Sequence, residues 1–430
     1  MSSIFKQEPL DTIRNQHLPG LNFPPEFIMP SYDGQSILNI PASICQAFHL
    51  SPVHSVPLRT EIFPQVNDDV QRIIILLMDG LALTRLSTWL EKGEIPIWNE
   101  LLKSGSIAPI TSISPSTTSA AMTTLWTGHS AAEHGVMGYE MWLKQYGIVS
   151  NMISQSPMSF KTGHANLSQA GFVAESVLTV PKLGEYLAKN GVSTYSFQHY
   201  SIANSGLSRT FMNNVNIYPY ANEAECWVNL RELIEAKTNE KMYLWTYWSA
   251  LDSLGHLYGP DDERTETYFQ NFSRNLEFNL INRLTKEQRK GTLLILTSDH
   301  GQVATPKDPL FSLSNHPEFI NYLHIKPTGE SRLTYLHVKP GKENALREYV
   351  EKTWPNKFVV MESSKLLNAG LFGRGIPHPD IFNRIGDLIL LARDNNYLWW
   401  SDEENPLIGR HGGLSELDMI VPFVSISLLK

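Results

Sequence analysis

Four apolar runs along the chain are each followed by an acidic residue or a histidine. The runs consist of leucine, β-branched and aromatic residues with almost no polar alternation, which is typical of strands buried on both faces. They cover residues 72–78, 242–248, 292–297 and 387–392. Helical patterns, such as 183–188 and 263–284, lie between them. Strands that alternate with helices indicate an α/β fold with a doubly wound, mostly parallel sheet flanked by helices, in which ligands bind beyond the carboxyl ends of the strands.

The pattern divides the chain into three predicted parts. Residues 1–69 are rich in Pro, Asn and Ser and show little periodicity, which favours an extension that wraps the core. Residues 331–370 interrupt the series of long buried strands, and we expect them to form a small αβ cap insertion. Its predicted elements are a strand, a helix and a strand, at 333–338, 343–352 and 357–360. The catalytic core would then comprise 70–330 and 371–430.

Composition excludes several classes of protein. The 430 residues contain 43 Asp and Glu against 35 Lys and Arg, a net charge of −8, which argues against binding to a nucleic-acid duplex. Two cysteines, Cys45 and Cys226, cannot build a disulfide framework or a thiolate metal site, so a metal would need His and carboxylate ligands. No run approaches the ~20 apolar residues of a membrane span. The first nine residues carry charges where a secretory leader would be apolar, so we expect a cytoplasmic protein.

Candidate metal ligands follow the predicted strands. Asp252 and His256 are four residues apart, and the glycines nearby would let an irregular loop direct both at one cation; the alternative is a helix-capping carboxylate with an unrelated histidine. Asp299 and His300 are adjacent after a buried strand, with the same alternative. Asp79 precedes Gly80 in what could equally be a turn. By itself, His411 fits a structural turn in its glycine-rich loop better than a metal site.

A cluster of hydroxyl residues at 115–128, Pro-Ser-Thr-Thr-Ser followed by small and apolar residues, fits the amino terminus of a helix. Helix capping is the simpler explanation of these hydroxyl groups. The same geometry also presents backbone N–H groups and the positive end of the helix dipole to an anion. A hydroxyl there could act as a nucleophile within a phosphate-binding site.

Taken together and in order, these motifs resemble the alkaline phosphatase superfamily, in particular its nucleotide pyrophosphatase/phosphodiesterase-like branch. The resemblance runs from Arg72 to the carboxyl terminus. The motifs that carry it are Asp79-Gly80, Pro115-x-x-Thr118 with Thr127-Gly128 and Glu133-His134-Gly135, Asp252-x-x-Gly-His256-x-x-Gly-Pro, Asp299-His300-Gly301 and His411-Gly-Gly.

The resemblance implies a two-metal hydrolase. It assigns Asp252, His256 and His411 to one divalent metal ion and Asp79, Asp299 and His300 to a second, which the Thr118 hydroxyl would also contact. The His and carboxylate mixture favours Zn²⁺, with Mn²⁺ and Fe²⁺ as alternatives. Thr118, at the family's spacing before Thr127-Gly128, would attack phosphorus and form a phosphothreonine intermediate that water then hydrolyses.

Two positions could contact the substrate. Tyr139 stands where relatives have an asparagine that holds a phosphate oxygen, and it could donate a similar hydrogen bond or pack. Arg410, beside His411, could bind additional negative charge. We therefore expect a metal-dependent phosphodiesterase or nucleotide pyrophosphatase acting on a small phosphodiester or nucleotide.

The alternatives are a phosphomonoesterase or phosphotransferase on the same scaffold and, less favoured, a non-catalytic metal-stabilised binding module. The Cys/Ser-x-Pro-x-Arg pattern of sulfatases is missing around Thr118.

Overall fold

A seven-stranded sheet forms the centre of the protein in the computed structural model, which describes residues 7–64, 70–159, 167–174 and 177–428. Six strands run parallel and one, at positions 420–427, runs antiparallel to both of its neighbours. From edge to edge the strands are β2 (Gly105–Thr111), β16 (Ile420–Ser427), β9 (Thr292–Thr297), β1 (Arg72–Met78), β8 (Met242–Trp248), β6 (Ser193–His199) and β7 (Asn216–Tyr220). Every residue of β1, β8 and β9 is buried, because helices cover both faces of the sheet.

Helices connect these strands on either side of the sheet. The helices are α1 (Gln7–Arg14), α2 (Ile40–Ala47), α3 (Leu83–Glu91), α4 (Pro96–Leu101), α5 (Thr118–Thr127), α6 (Ala131–His134), α7 (Leu183–Lys189), α8 (Gly206–Phe211), α9 (Glu223–Ala236), α10 (Ala250–Tyr258), α11 (Glu263–Leu276), α12 (Lys286–Arg289), α13 (Pro317–Asn321), α14 (Glu343–Thr353), α15 (Ser363–Asn368), α16 (Ile381–Ile385) and α17 (Glu416–Met419). A π-helical turn, Glu277–Ile281, continues α11. Among the described residues, no helix combines the length and the apolar character needed to cross a membrane.

A second, antiparallel sheet lies beyond the carboxyl ends of the central strands. Its strands, in spatial order, are β13 (Phe358–Glu362), β14 (Leu388–Ala392), β12 (Leu333–Leu336), β11 (Thr328–Glu330), β3 (Glu140–Leu143), β4 (Ile148–Asn151) and β5 (Ser156–Pro157). A separate apolar cluster that includes Phe319, Leu346 and Trp354 packs against it. A short ladder, β10 (Val303–Ala304) with β15 (Gly409–Arg410), lies apart from both sheets.

The apolar run at 387–392 does not join the central sheet, contrary to our expectation. It forms β14, which pairs antiparallel with β12 and β13. All five residues of β14 are buried, so its composition is that of a covered strand in either sheet and the pattern cannot distinguish the two. The predicted insertion 331–370 supplies β12, α14, β13 and α15, and it shares its sheet with strands from 140–157 and 388–392. The boundaries of the three parts stay a prediction.

Residues 7–64 lie against the core near the edge strand β2. The backbone N–H of Ser31 donates to Oγ1 of Thr111 at 2.9 Å, and the N–H of Thr111 donates to the carbonyl oxygen of Gln35 at 2.9 Å. Ile37 and Ile44 are fully buried. The rest of the predicted extension, residues 1–6 and 65–69, lies outside the described residues.

Candidate active site

The predicted ligands meet at the carboxyl edge of the central sheet. Asp79 follows β1, Asp252 lies in α10 after β8, and Asp299 and His300 follow β9. His411 comes directly after β15. Because parallel strands end at the same edge of a sheet, residues far apart in sequence come together there.

Asp252, His256 and His411 form the first group of candidate ligands. Their ligand atoms all lie within 4.8 Å of one another, and His256 Nε2 is 3.2 Å from Asp252 Oδ2. The Asp252–His256 pair lies on a regular helix, α10, rather than on the irregular loop that we expected. Residues four apart on a helix share one face, so the spacing alone brings the two side chains together.

The second group contains Asp79 and His300. Nε2 of His300 lies 3.4 Å from Asp79 Oδ1 and 3.5 Å from Asp299 Oδ2. The ligand atoms of Asp79, Asp252 and His300 lie within 4.8 Å of one another. Asp252 therefore takes part in both groups and lies between them.

All three histidines present the same ring nitrogen to the site. Nδ1 of His256, His300 and His411 lies at hydrogen-bond distance from the carbonyl oxygen of Gly409, Gly301 and Ser116, respectively. A carbonyl oxygen only accepts hydrogen bonds, so each Nδ1 carries the proton and each Nε2 carries a lone pair. Metal-binding histidines in proteins are commonly held in this way.

The charge balance of the site also fits bound cations. Asp79 Oδ1 and Asp299 Oδ2 are buried without a hydrogen-bond partner. Burial, followed by the charges of Asp299 and Asp252, raises the pKa of Asp79 well above its ordinary value. Buried carboxylates this close together need compensating positive charge. The residues present therefore fit two dications ligated by carboxylate and imidazole.

Thr118 is the first residue of α5, and its hydroxyl lies 3.2 Å from Nε2 of His300. Its neighbour Thr117 instead donates its hydroxyl hydrogen to Glu330 Oε1 at 2.6 Å. The same carboxylate oxygen accepts the backbone N–H of Tyr139 at 2.7 Å. Thr117 is thus tied to the second sheet, whereas Thr118 faces the candidate ligands at a helix amino terminus, where an anion is favoured.

A cavity of about 490 Å³ opens over Thr118. One wall carries Thr118, Asp252, His256 and His411. Another wall comes from the second sheet, the residues that flank its strands and the loop after β14, and includes Met158, Tyr139, Glu140, Trp399 and Trp400. The cavity thus joins the candidate ligands to an aromatic surface.

The two predicted substrate contacts differ in their surroundings. Tyr139 lines the cavity with 38% of its surface exposed. Arg410 also reaches the cavity, but its terminal nitrogens donate to Thr305, Asn405 and Leu407. Its guanidinium carbon lies 3.8 Å from the centre of the Tyr397 ring. Arg410 is therefore already engaged in holding the loop that precedes His411.

Sequence reasoning missed several residues around the site. Glu330 holds Thr117, Tyr247 donates its hydroxyl to Asp79 Oδ2, and Gln302 donates to Asp252 Oδ1 at 2.9 Å. The aromatic wall with Trp399 and Trp400 was also missed. For Tyr247 a signal was available, because it is the sixth residue of the predicted strand 242–248, which ends at the site. Glu330 gave no such signal, because it lies in a strand far from Thr118 in sequence.

Two histidines left unassigned by the sequence lie elsewhere. His316 contacts the Tyr349 hydroxyl and the Leu310 carbonyl oxygen, within the apolar cluster beside the second sheet. His378 Nδ1 accepts the N–H of Asp380. Both have structural partners of their own, and neither lines the cavity described above.

Comparison with known proteins identifies the family. The model of the family "Type I phosphodiesterase / nucleotide pyrophosphatase" matches residues 73–414. The chain belongs to this family. Its predicted membership of the nucleotide pyrophosphatase/phosphodiesterase-like branch is confirmed, and so, at the level of the family, is the predicted enzyme class of phosphoric ester hydrolases.

Individual relatives are distant. The chain is 23% identical over 354 residues to human ectonucleotide pyrophosphatase/phosphodiesterase family member 5, across 80% of this chain and 66% of that protein, just under two thirds of its length. Among solved structures, an inactive form of murine ectonucleotide pyrophosphatase/phosphodiesterase 5 in complex with AMP is similar at 17% identity with a TM-score of 0.60, covering 83% of this chain and 88% of that one.

Phosphonoacetate hydrolase from Sinorhizobium meliloti in complex with phosphonoformate is similar at 16% identity with a TM-score of 0.58, covering 83% of this chain and 89% of that one. These likenesses confirm the predicted fold class, an α/β protein with a mostly parallel sheet flanked by helices.

Proposed function

We propose that this protein hydrolyses phosphodiester or pyrophosphate bonds of small, nucleotide-like substrates at a two-metal site, with Thr118 as the nucleophile. The observation that carries the proposal is the position of the Thr118 hydroxyl, 3.2 Å from Nε2 of His300. There, a hydroxyl at the amino terminus of a helix lies beside two groups of carboxylate and imidazole ligands at the floor of one cavity. Membership of a family of phosphodiesterases and pyrophosphatases supports it.

We assign one metal to Asp252, His256 and His411, and the other to Asp79, Asp299 and His300, with Thr118 beside it. Asp299 belongs to the second set because its unpartnered Oδ2 lies 3.5 Å from His300 Nε2. Mixed imidazole and carboxylate ligands favour Zn²⁺ over Mn²⁺ or Fe²⁺. When bound, the two ions would promote ionisation of the Thr118 hydroxyl and offset negative charge on the phosphoryl oxygens.

The residues of the chain then perform two displacements. The Thr118 hydroxyl gives its proton to water, its oxygen forms a bond to phosphorus while the bond from phosphorus to the leaving-group oxygen breaks, and the leaving group takes a proton from water. The N–H groups at the start of α5 stabilise the phosphoryl charge. Water then attacks the phosphothreonine, the bond from phosphorus to the Thr118 oxygen breaks, and the hydroxyl is restored while a phosphomonoester is released.

The cavity favours a diester with a planar substituent. Trp399 and Trp400 supply an aromatic wall on which a nucleobase could stack, and a murine relative has been solved in complex with AMP. The lining carboxylate Glu403 would repel the second negative charge of a phosphomonoester more strongly than the single charge of a diester. Arg410, the lining residue that could offset such charge, is already held by its neighbours.

The decisive experiment compares bis-p-nitrophenyl phosphate with p-nitrophenyl phosphate, each with and without chelator. We expect faster turnover of the diester, loss of activity with chelator, and recovery when Zn²⁺ is restored. Activity that persists in chelator would overturn the metal-dependent mechanism. Monoester turnover faster by orders of magnitude would favour the alternative of a phosphomonoesterase or phosphotransferase. The cytoplasmic localisation stays a prediction, for which cell fractionation is the test.

A further inference from the structure

Three further side chains that could ligate a metal converge at the end of α5 opposite Thr118. They are His54, from the segment that precedes the core, and His129 and Glu133, which follow α5. Their ligand atoms all lie within 4.8 Å of one another, and His54 Nε2 is 2.6 Å from Glu133 Oε1. Ten helical residues separate this cluster from Thr118 by roughly 15 Å, so it is distinct from the candidate active site.

His129 and Glu133 each use one polar atom in a local hydrogen bond and leave the other to the cluster. His129 Nδ1 donates to the carbonyl oxygen of Thr127 at 2.9 Å, so its Nε2 carries the lone pair. Glu133 Oε2 accepts from the backbone N–H and the hydroxyl of Ser130, at 2.9 and 2.7 Å. That leaves Glu133 Oε1 facing His54. The arrangement matches that of the histidines in the candidate active site, whose Nδ1 donates to a carbonyl oxygen and whose Nε2 faces the other candidate ligands.

The two imidazole rings lie face to face. The ring centres of His54 and His129 are 3.9 Å apart with planes 12° from parallel. The candidate active-site ligands His300 and His411 stack similarly, at 3.8 Å and 19°. Two charged imidazolium rings would repel each other at this distance, so the stacked arrangement favours neutral imidazoles, the form that ligates a metal.

The backbone holds His54 in a specific orientation. Its φ is +27°, in the left-handed region that non-glycine residues seldom adopt. The flanking residues are fixed, since Tyr186 donates its hydroxyl to the Ser51 carbonyl oxygen at 2.8 Å and Asn39 donates to the Val56 carbonyl oxygen at 2.9 Å. Unfavourable backbone conformations of this kind persist where the surroundings impose them, often at binding sites.

We propose that His54, His129 and Glu133 bind a third divalent cation, with Zn²⁺ preferred, that fastens the amino-terminal segment to the end of α5. Two imidazoles and one carboxylate are a common protein ligand set for zinc, with water in the fourth position. The half-exposed side chain of His54, 47% accessible, leaves room for that water. The site lies outside the proposed chemistry and tethers the segment to the helix that carries Thr118.

Metal content measures the proposal directly. The full chain is loaded with Zn²⁺, desalted and analysed by mass spectrometry for zinc per chain. We expect about three equivalents in the wild type and about two in His54→Asn and in Glu133→Gln. Glutamine preserves the capping hydrogen bonds of Glu133 at the start of α6, so that variant removes the charge while keeping the local fold. Diester turnover should stay within about twofold of wild type in both variants, because neither residue reaches the cavity.

His49→Asn is the matched control. His49 is an exposed histidine in the same segment, also at positive φ, +60°. The His49→Asn variant should retain the third equivalent of zinc. Zinc contents that are equal in wild type, His54→Asn and Glu133→Gln would overturn the proposal and leave a plain hydrogen bond between His54 and Glu133. If His54→Asn does not fold, Glu133→Gln and a chelator-competition titration of the wild type decide. If the third equivalent of zinc is lost while diester turnover is kept, this site is distinct from the two proposed metal sites of the active site.

Discussion

The hydroxyl of Thr117 donates a hydrogen bond of 2.6 Å to Oε1 of Glu330. This contact removes one of two adjacent threonines from consideration as the nucleophile, because the Thr117 hydroxyl is already committed. It also connects the start of α5 to the second sheet through β11. The hydroxyl that remains available to the candidate metal ligands is that of Thr118.

Replacing the two threonines should therefore have unequal effects. We expect Thr118→Ala to lower diester turnover by roughly 10⁴-fold or more, as loss of a nucleophile does. Thr117→Val keeps the shape of the side chain and loses one buried hydrogen bond, which should cost about tenfold in kcat/KM. Single-turnover labelling with a radioactive diester should detect phosphothreonine in wild type and Thr117→Val only. Equal losses in the two variants would contradict this assignment.

The pH dependence of stability should report on Glu330. Burial raises the pKa of Glu330 to about 7, so the folded protein holds this proton more tightly than the unfolded chain does. The stability that protonated Glu330 contributes is fully present below the ordinary glutamate pKa and is lost as pH rises through about 7.

We therefore expect the melting temperature of metal-free Glu330→Gln to gain on that of metal-free wild type as pH rises from about 5 to about 8. Differential scanning fluorimetry at closely spaced pH values would measure it. Glu351→Gln, at an exposed position of α14, is the control and should show a constant difference. If the melting temperatures of Glu330→Gln and wild type differ by the same amount at every pH, the raised pKa of Glu330 is refuted.

Tyr247 should support metal binding without touching substrate. Its hydroxyl donates to Asp79 Oδ2, which orients a proposed ligand. Loss of such an outer partner typically weakens metal affinity 10- to 100-fold. Tyr247→Phe should show that loss in a chelator-competition titration, with kcat restored at saturating Zn²⁺. Tyr243→Phe is matched, since Tyr243 lies on the same strand and its buried hydroxyl has no partner. If Tyr247→Phe and Tyr243→Phe bind Zn²⁺ with the same affinity, the hydrogen bond from Tyr247 to Asp79 does not support metal binding.

The buried ion pair between Arg332 and Asp418 should be essential for stability. Both side chains are fully buried, with Arg332 Nη2 2.9 Å from Asp418 Oδ2. Asp418 also accepts the backbone N–H of Gly413, close to His411. Arg332→Met leaves an uncompensated buried charge and should lower the free energy of unfolding by about 3–5 kcal/mol.

Urea denaturation would measure this loss. Lys103→Ala breaks an exposed ion pair with Glu100 and should cost less than about 1 kcal/mol. The double variant Arg332→Met with Asp418→Leu should recover part of the loss, because no isolated charge stays buried. A cost for Arg332→Met as small as that for Lys103→Ala would contradict the prediction.

The buried strands were predictable to the residue. The bounds of β1, β8 and β9 coincide with the apolar runs 72–78, 242–248 and 292–297, because a strand covered on both faces excludes polar residues along its whole length. The same property misled us at β14, since a covered strand looks alike in either sheet. Which sheet a strand joins depends on contacts with distant segments, and no local pattern records those contacts.

The proximity of three candidate ligands was predictable for a related reason. Asp79, Asp252 and Asp299 follow strands whose ends must meet, so their proximity follows from topology alone. Glu330, Trp400 and His54 reach their sites from segments far away in sequence, and their partners depend on how the second sheet and the amino-terminal segment dock. Such docking depends on shape and packing, for which one sequence carries no periodic signal.

The two walls of the cavity belong to different layers of the molecule. Asp252 and His411 lie at the edge of the central sheet, whereas Tyr139, Glu140 and Trp400 stand on the second sheet and its loops. Under the proposed function, the reacting groups and the surface that would select the substrate therefore lie in separate structural layers. Changes in the second sheet would then alter which leaving group is accepted while every proposed metal ligand stays in place. One chemical step can in this way be retained across a lineage while its substrates diversify.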